Sequence, residues 1–162
     1  MTDTLKKEFW DRLEDTRTGM LSAEGARAVP MSHYVDDDDS PQAIWFITAK
    51  GTDLSNAAAT GETAQYIVSS NDEQLYARID GRISVSNDPQ KLDEMWNAIA
   101  SAWFDGGQQD PDVQLIRFDL TEAEVWATGG SLKFLFEVAK AHMTDSKPDM
   151  GEHGTLHFAS AA

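Results

Sequence analysis

Cysteine is absent from the 162-residue chain, which excludes disulfides, thiolate metal sites and cysteine nucleophiles. Basic residues are scarce, with 13 Lys and Arg against 28 Asp and Glu and a net charge of −15. Such a surface repels nucleic-acid phosphates and anionic lipid, so neither is an expected partner. Long apolar runs are missing too, and the opening MTDTLKKEFWDRLED mixes acids with bases, unlike a secretory signal or a membrane span. Cytoplasmic residence is the default expectation. There is no internal repeat, Gly-x-Ser-x-Gly elbow, phosphate loop or dinucleotide fingerprint. His33, His142, His153 and His157 are scattered; the last two lie four apart, but Gly154 between them counts against a helical ligand pair. No metal is expected. Asp36 to Asp39, followed by Ser40-Pro41, could hold a hard cation, yet like charges in a turn are more often simply solvated. That stretch reads as a hairpin loop.

What is present suffices for a core: hydrophobic residues are 41% of the chain, and the pattern predicts one domain over 1–143 with a tail over 144–162. Leu5, Phe9 and Leu13 recur at fourth positions, predicting a helix over about 4–15. Short runs follow at Met20 to Ala23, Ala26 to Tyr34, Ala43 to Thr48, Ala64 to Ser69 and Gln74 to Asp80, each bounded by turn formers and read as antiparallel strands. Gly81 marks a bulge before Arg82 to Ser86. Asp88-Pro89 then opens a helix whose apolar face carries Leu92, Met95, Trp96, Ile99 and Trp103, and Gly106-Gly107 stops it. Val113 to Leu120 and Glu122 to Ala127 are two more strands, Ser131 caps a last helix carrying Leu132, Leu135, Phe136, Ala139 and Met143, and the tail from Thr144 has no period. A frayed end is expected there, although GEHGTLHF is apolar enough to dock as a strand. Without regular strand-helix alternation, the order predicts a mainly β fold, an antiparallel barrel decorated with helices.

One stretch invites a chemical reading. AIWFITAKGTDLSNAAA, from Ala43, runs from a strand through a polar turn into small residues suited to a helix over about 53–60. Lys50, Thr52 and the amides near Asp53 to Ser55 could cradle an anion. The plainer reading makes Thr52 or Asp53 only the helix cap.

The chain resembles the general stress proteins of the flavin-binding split-barrel superfamily, relatives of pyridoxamine 5′-phosphate oxidase. The resemblance rests on Arg27-Ala-Val-Pro-Met31, Ile44-Trp-Phe-Ile-Thr48, Tyr76 to Gly81, Trp96 with Trp103-Phe-Asp-Gly-Gly, Asp110-Pro-Asp-Val-Gln-Leu-Ile-Arg117 and Ala123-Glu-Val-Trp126, in that order. It implies a split β-barrel with Greek-key topology, a homodimer with flavin sites between subunits, and FMN as cofactor, with FAD or another flavin as alternatives. Carried over residue by residue, Arg27 would contact the phosphate or ribityl chain, and Val29, Pro30 and Met31 would offer backbone and apolar contacts to the ring. Thr48 would bond the flavin edge, Lys50 and Thr52 would meet the phosphate, Tyr76 would approach the ring, and Trp126 would wall the groove. The implied function is flavin binding with flavin-dependent oxidoreduction from an NAD(P)H donor; the alternative is a non-catalytic protein that sequesters flavin or has lost tight binding.

This sequence departs from the family pattern where relatives supply charge, placing Ala28 and Val29 before Pro30-Met31, and Asp53 and Leu54 at the end of the turn. Each lost charge-assisted hydrogen bond is worth roughly 1.5–3 kcal/mol, so two weaken phosphate binding by ~100-fold or more. True pyridoxamine phosphate oxidation is not expected. No side chain stands out as a catalytic acid or base. Trp96 and Trp103 are assigned to the core by their shared helix face, Trp45 could face either way, and the adjacent pair Phe9 and Trp10 should leave one ring free for a subunit contact.

Overall fold

A computed structural model describes residues 2–36, 42–129, 139–143 and 151–158. The first element, α1 (Thr2–Asp15), buries the expected stripe of Leu5, Phe9 and Leu13. Eight strands follow: β1 (Thr18–Ala23), β2 (Ala26–Ser32), β3 (Tyr34–Val35), β4 (Ala43–Ala49), β5 (Thr63–Ser70), β6 (Leu75–Ser86), β7 (Val113–Thr128) and β8 (Gly151–His157). They are interrupted by α2 (Asp53–Ala59), α3 (Pro89–Met95), α4 (Ala98–Trp103) and a 3-10 turn at Gly107–Gln109. Every pairing is antiparallel, in the order β2-β1-β5-β6-β7-β4-β3, with β8 added beside β7.

The two ends of that path are neighbours in the chain, since only His33 separates β2 from β3. One bent segment thus pairs with β1 through its first half and with β4 through its second, and this curls the sheet into a barrel. The sequence predicted one strand across this bend. His33 breaks it because its ring turns inward, where Nδ1 meets the Tyr66 hydroxyl at 2.6 Å and Nε2 meets the Leu13 carbonyl at 2.8 Å. The interior is filled by alternating residues of the strands, among them Phe46, Tyr66, Ile79, Ile83 and Phe118, all inaccessible to solvent.

Gly81 is a bulge as expected, and the register of β6 on β7 shifts between Asp80 and Gly81. A Cβ there would lie 2.1 Å from the Asp119 carbonyl oxygen, so close backbone approach demands glycine. Across from it β7 runs unbroken where two strands were expected: the Thr121 hydroxyl donates to the Asp80 carbonyl at 3.0 Å, and the bulge on β6 absorbs the irregularity.

Three further expectations are corrected. The helix predicted from Pro89 to Trp103 is two helices, because Trp96 and Asn97 are extended and the Asn97 side chain accepts from the Ala100 amide at 2.9 Å, starting a new helix. Phe9 and Trp10 are both buried, Trp10 being 9% exposed, because Phe158 packs edge-on against the indole at 5.9 Å and also reaches Phe9. Phe158 arrives there because Gly151–His157 is a strand paired with β7 and not a frayed end. Of the helix expected from Ser131, residues 139–143 are helical, while Leu132, Leu135 and Phe136 lie outside the described residues, as do 37–41 of the acidic hairpin and 144–150 of the tail. No helix among the described residues is long and apolar enough to cross a membrane.

Candidate functional site

A second, smaller apolar cluster lies on the outer face of β4 and β7. There Trp45 packs with Met95 and Leu115, and Lys91 and Arg117 place their charges over its ring at 5.5 and 5.3 Å. This cluster seats α3 and leaves α4 beside the bend between β2 and β3. Between α4 and the barrel is a cavity of about 530 Å³. The barrel contributes Pro30, Met31 and Ser32 from β2 and Ile47, Thr48 and Ala49 from β4; α4 and its end contribute Ile99, Ala100, Trp103 and Phe104; Thr18 and Tyr34 complete the lining. Carbon predominates, with hydroxyls at Thr18, Ser32, Thr48 and Tyr34, and among the described residues no carboxylate or imidazole lines it. The Tyr34 hydroxyl donates to Asn97 Oδ1 at 3.4 Å. Burial pushes its phenol pKa upward, so it stays protonated at neutral pH and can donate.

The loop after α4 holds this wall in place. Asp110 accepts from the Gly106 amide through one carboxylate oxygen and from the Asp112 amide through the other, each at 3.0 Å. Those two amides draw its pKa below the usual carboxylate value. The Asp112 carbonyl in turn accepts from the Lys50 amide at 2.8 Å. The Gly-Gly and Asp-Pro-Asp motif is therefore a clasp joining α4, the turn after β4 and the start of β7.

Of the sequence-predicted residues, the cavity gathers Pro30, Met31 and Thr48. Arg27 and Val29 are exposed on β2, outside the lining. Lys50 and Thr52 are exposed in the turn above β4. The Thr52 hydroxyl is engaged within that turn, donating to the Ala49 carbonyl at 3.0 Å and accepting from the Ser55 amide at 3.1 Å as the cap of α2. Tyr76 and Trp126 are a cross-strand pair at the other end of β6 and β7, where Trp126 stacks on His153 at 4.8 Å; neither lines the cavity. Sequence reasoning missed Tyr34, Ile47 and Trp103. Tyr34 and Ile47 continue strands already singled out, but Trp103 was concealed by the assumption of one unbroken helix.

Residues 4–149 match the family described as pyridoxamine 5′-phosphate oxidase like. The chain belongs to that family. Among solved structures it is similar to a protein of Jannaschia sp. CCS1 described as general stress protein 26, at 53% identity over 96% of this chain and 99% of that one, with a TM-score of 0.88. It is also similar to the general stress FMN/FAD binding protein of Xanthomonas citri, at 34% identity over 80% of this chain and 93% of that one, TM-score 0.72. A general stress family protein of Xanthomonas campestris gives 34% identity over 81% of this chain and 92% of that one, TM-score 0.71. No curated protein matches the chain. These likenesses make the curled antiparallel sheet the split barrel of the pyridoxamine 5′-phosphate oxidase-like family.

Proposed function

We propose that the chain binds a flavin, FMN foremost, with the isoalloxazine ring in the cavity between α4 and the barrel. The observation that carries this reading is the cavity itself. It is large enough for a tricyclic ring, apolar on its walls, and edged by a few hydroxyls that can meet the ring's carbonyls and nitrogens. It also brings together Pro30, Met31 and Thr48, which family resemblance assigns to the ring. The Xanthomonas citri relative, whose description names FMN and FAD, supports the same cofactor class.

Bound flavin supplies hydride and electron transfer. The chain's own residues would hold the ring out of water, with Thr48 at its edge and the Tyr34 phenol, whose hydrogen goes to Asn97, offering its oxygen as an acceptor. Among the described residues no side-chain base lines the cavity, and the protein's contribution in this reading is positioning. Arg27 and Lys50 are the cations for the phosphate; neither has an ion-pair partner among the described residues. The site lies between two copies of the chain in this reading. Pro30, Met20 and Ile67 stand in register across β2, β1 and β5, with Met20 41% and Ile67 45% exposed. That apolar stripe continues outward from the cavity and suits a second copy.

Titrating purified protein with FMN while recording the visible absorption spectrum tests the reading. A saturable spectral change is expected, weakened in Arg27→Ala more than in Lys50→Ala; no change at high FMN concentration would refute it. Anaerobic NADH or NADPH then separates an oxidoreductase, whose bound flavin bleaches, from a sequestering protein, whose flavin stays yellow.

A further inference from the structure

Trp103 is 80% exposed, although tryptophan is highly buried on average. Its helix is not loose. Ala100 and Phe104, on either side of it, are buried, and Phe104 packs on Trp96 with ring centroids 6.1 Å apart. Asn97 caps the helix start, and the Asp110 clasp fixes the loop beyond its end. An indole on so well anchored a helix is held out deliberately by geometry, at the mouth of the cavity it lines. Among the described residues no other ring contacts it. Facing it across the cavity are Pro30, Met31 and Thr48, so a flat ligand entering there is walled on one side by the barrel and on the other by the indole.

We infer that Trp103 is the ring-contacting residue that stacks on the isoalloxazine and covers the mouth of the cavity. The inference rests on the flavin reading above and adds to it a specific residue, absent from the sequence-predicted contacts. Stacking of a flat heteroaromatic ring on an aromatic side chain, judged by alanine substitution, amounts to roughly a 5- to 150-fold change in affinity. The contact is to the ring and not to the phosphate, so the loss applies equally to ligands with and without a ribityl phosphate. Trp103 sits on the surface, so its replacement leaves the interior untouched.

The test compares wild type, Trp103→Ala, Trp103→Phe and Lys50→Ala, each titrated with FMN and with lumiflavin, which keeps the ring and lacks the ribityl phosphate. The expected result is the same loss of affinity for both ligands, about 5- to 150-fold, in Trp103→Ala, with Trp103→Phe retaining most of the binding. Lys50→Ala should lose affinity for FMN alone. Size-exclusion chromatography of the ligand-free proteins accompanies the titrations. Wild-type binding of FMN with unchanged affinity in Trp103→Ala would overturn the inference and leave the flavin reading standing. A Trp103→Ala protein that changes its oligomeric state without FMN would also overturn it, by assigning the indole to a contact between copies. Failure of wild type to bind either ligand would overturn both.

Discussion

Acidifying the protein should loosen it from a single buried imidazole, and the effect can be worked from the bend at His33. Its Nε2 faces the Leu13 carbonyl, which only accepts, so Nε2 carries the hydrogen and donates. In the neutral ring Nδ1 then accepts from the Tyr66 hydroxyl at 2.6 Å. That hydroxyl has one hydrogen and a second acceptor, the Met31 carbonyl at 2.9 Å. Protonating His33 would send the hydrogen to Met31 and leave Nδ1–H donating to the phenol oxygen. Both states are hydrogen-bonded, but the charged one is out of water, and burial lowers the pKa below the ordinary histidine value. The unfolded chain therefore takes up the proton first. Its contribution to stability is complete above about pH 6.5 and falls as pH drops, by about 1.4 kcal/mol per pH unit, until the folded histidine itself titrates. Urea unfolding of wild type and His33→Gln, at intervals from about pH 7.5 to 5, measures the difference. Glutamine cannot titrate, so the wild-type free energy should fall relative to the variant's with that slope, whatever His142, His153 and His157 contribute to both. Parallel curves for the two proteins over this range would refute the reasoning. At neutral pH the variant should be less stable by the roughly 0.5–1.5 kcal/mol of one hydrogen bond, because glutamine does not reproduce the ring's paired contacts to Leu13 and Tyr66, while the Leu13 carbonyl keeps the Thr16 amide at 3.1 Å.

Two substitutions test the packing that positions the site. Gly81→Ala places a methyl against the Asp119 carbonyl and the Phe118 ring, and since the obstacle includes backbone, the denaturation midpoint should drop by an amount equivalent to about 1–3 kcal/mol or more; an unchanged midpoint would mean the bulge is elsewhere. Phe158→Ala removes the cover from Trp10 and Phe9 and should cost about 3–5 kcal/mol with a red shift of tryptophan emission, whereas unaltered emission would show that β8 does not shield the indole.

How far the sequence carried depended on what each signal measures. Alternation and turn residues report local backbone, and they located β1, β2, β4, β5 and β6, the bulge at Gly81 and a cap at Thr52 or Asp53, of which the structure uses Thr52. They did not show that Ala26–Ser32 and Tyr34–Val35 are the two ends of the barrel, because the bend is made by a histidine ring that satisfies itself on Tyr66 and Leu13, residues distant in the chain. Helical periodicity reports which face is apolar and not what covers it. One ring of Phe9 and Trp10 is expected to face outward, yet both are buried because Phe158 covers the indole, and Trp103 is expected inward although the break at Asn97 releases its helix from the register of α3. The Gly-Gly and Asp-Pro-Asp motif entered the sequence reading only as part of a resemblance. Its physical role as a clasp emerged only with the hydrogen bonds of Asp110 and Asp112.

The flavin reading proposed above divides the candidate site into a ring end and a phosphate end, which bears on what such a protein can select. At the phosphate end the Lys50 amide is committed to Asp112, the Thr52 hydroxyl caps α2, and Asp53 opens that helix with a negative charge of its own. A helix of seven residues offers a weak dipole to offset that charge, and the chain as a whole carries a net charge of −15. Under the flavin reading, Arg27 and Lys50 would then attract the phosphate dianion against an unfavourable field. At the ring end the walls are formed in advance by residues whose burial is already complete, such as Ala100 and Phe104, so binding orders little that is not ordered already. If a flavin occupies the cavity, the ring therefore contributes the larger share of its affinity and the phosphate the smaller. FMN and lumiflavin should bind with affinities closer together than a site with a full set of phosphate cations would allow, and rising salt should weaken FMN more than lumiflavin, because only the phosphate contact is screened.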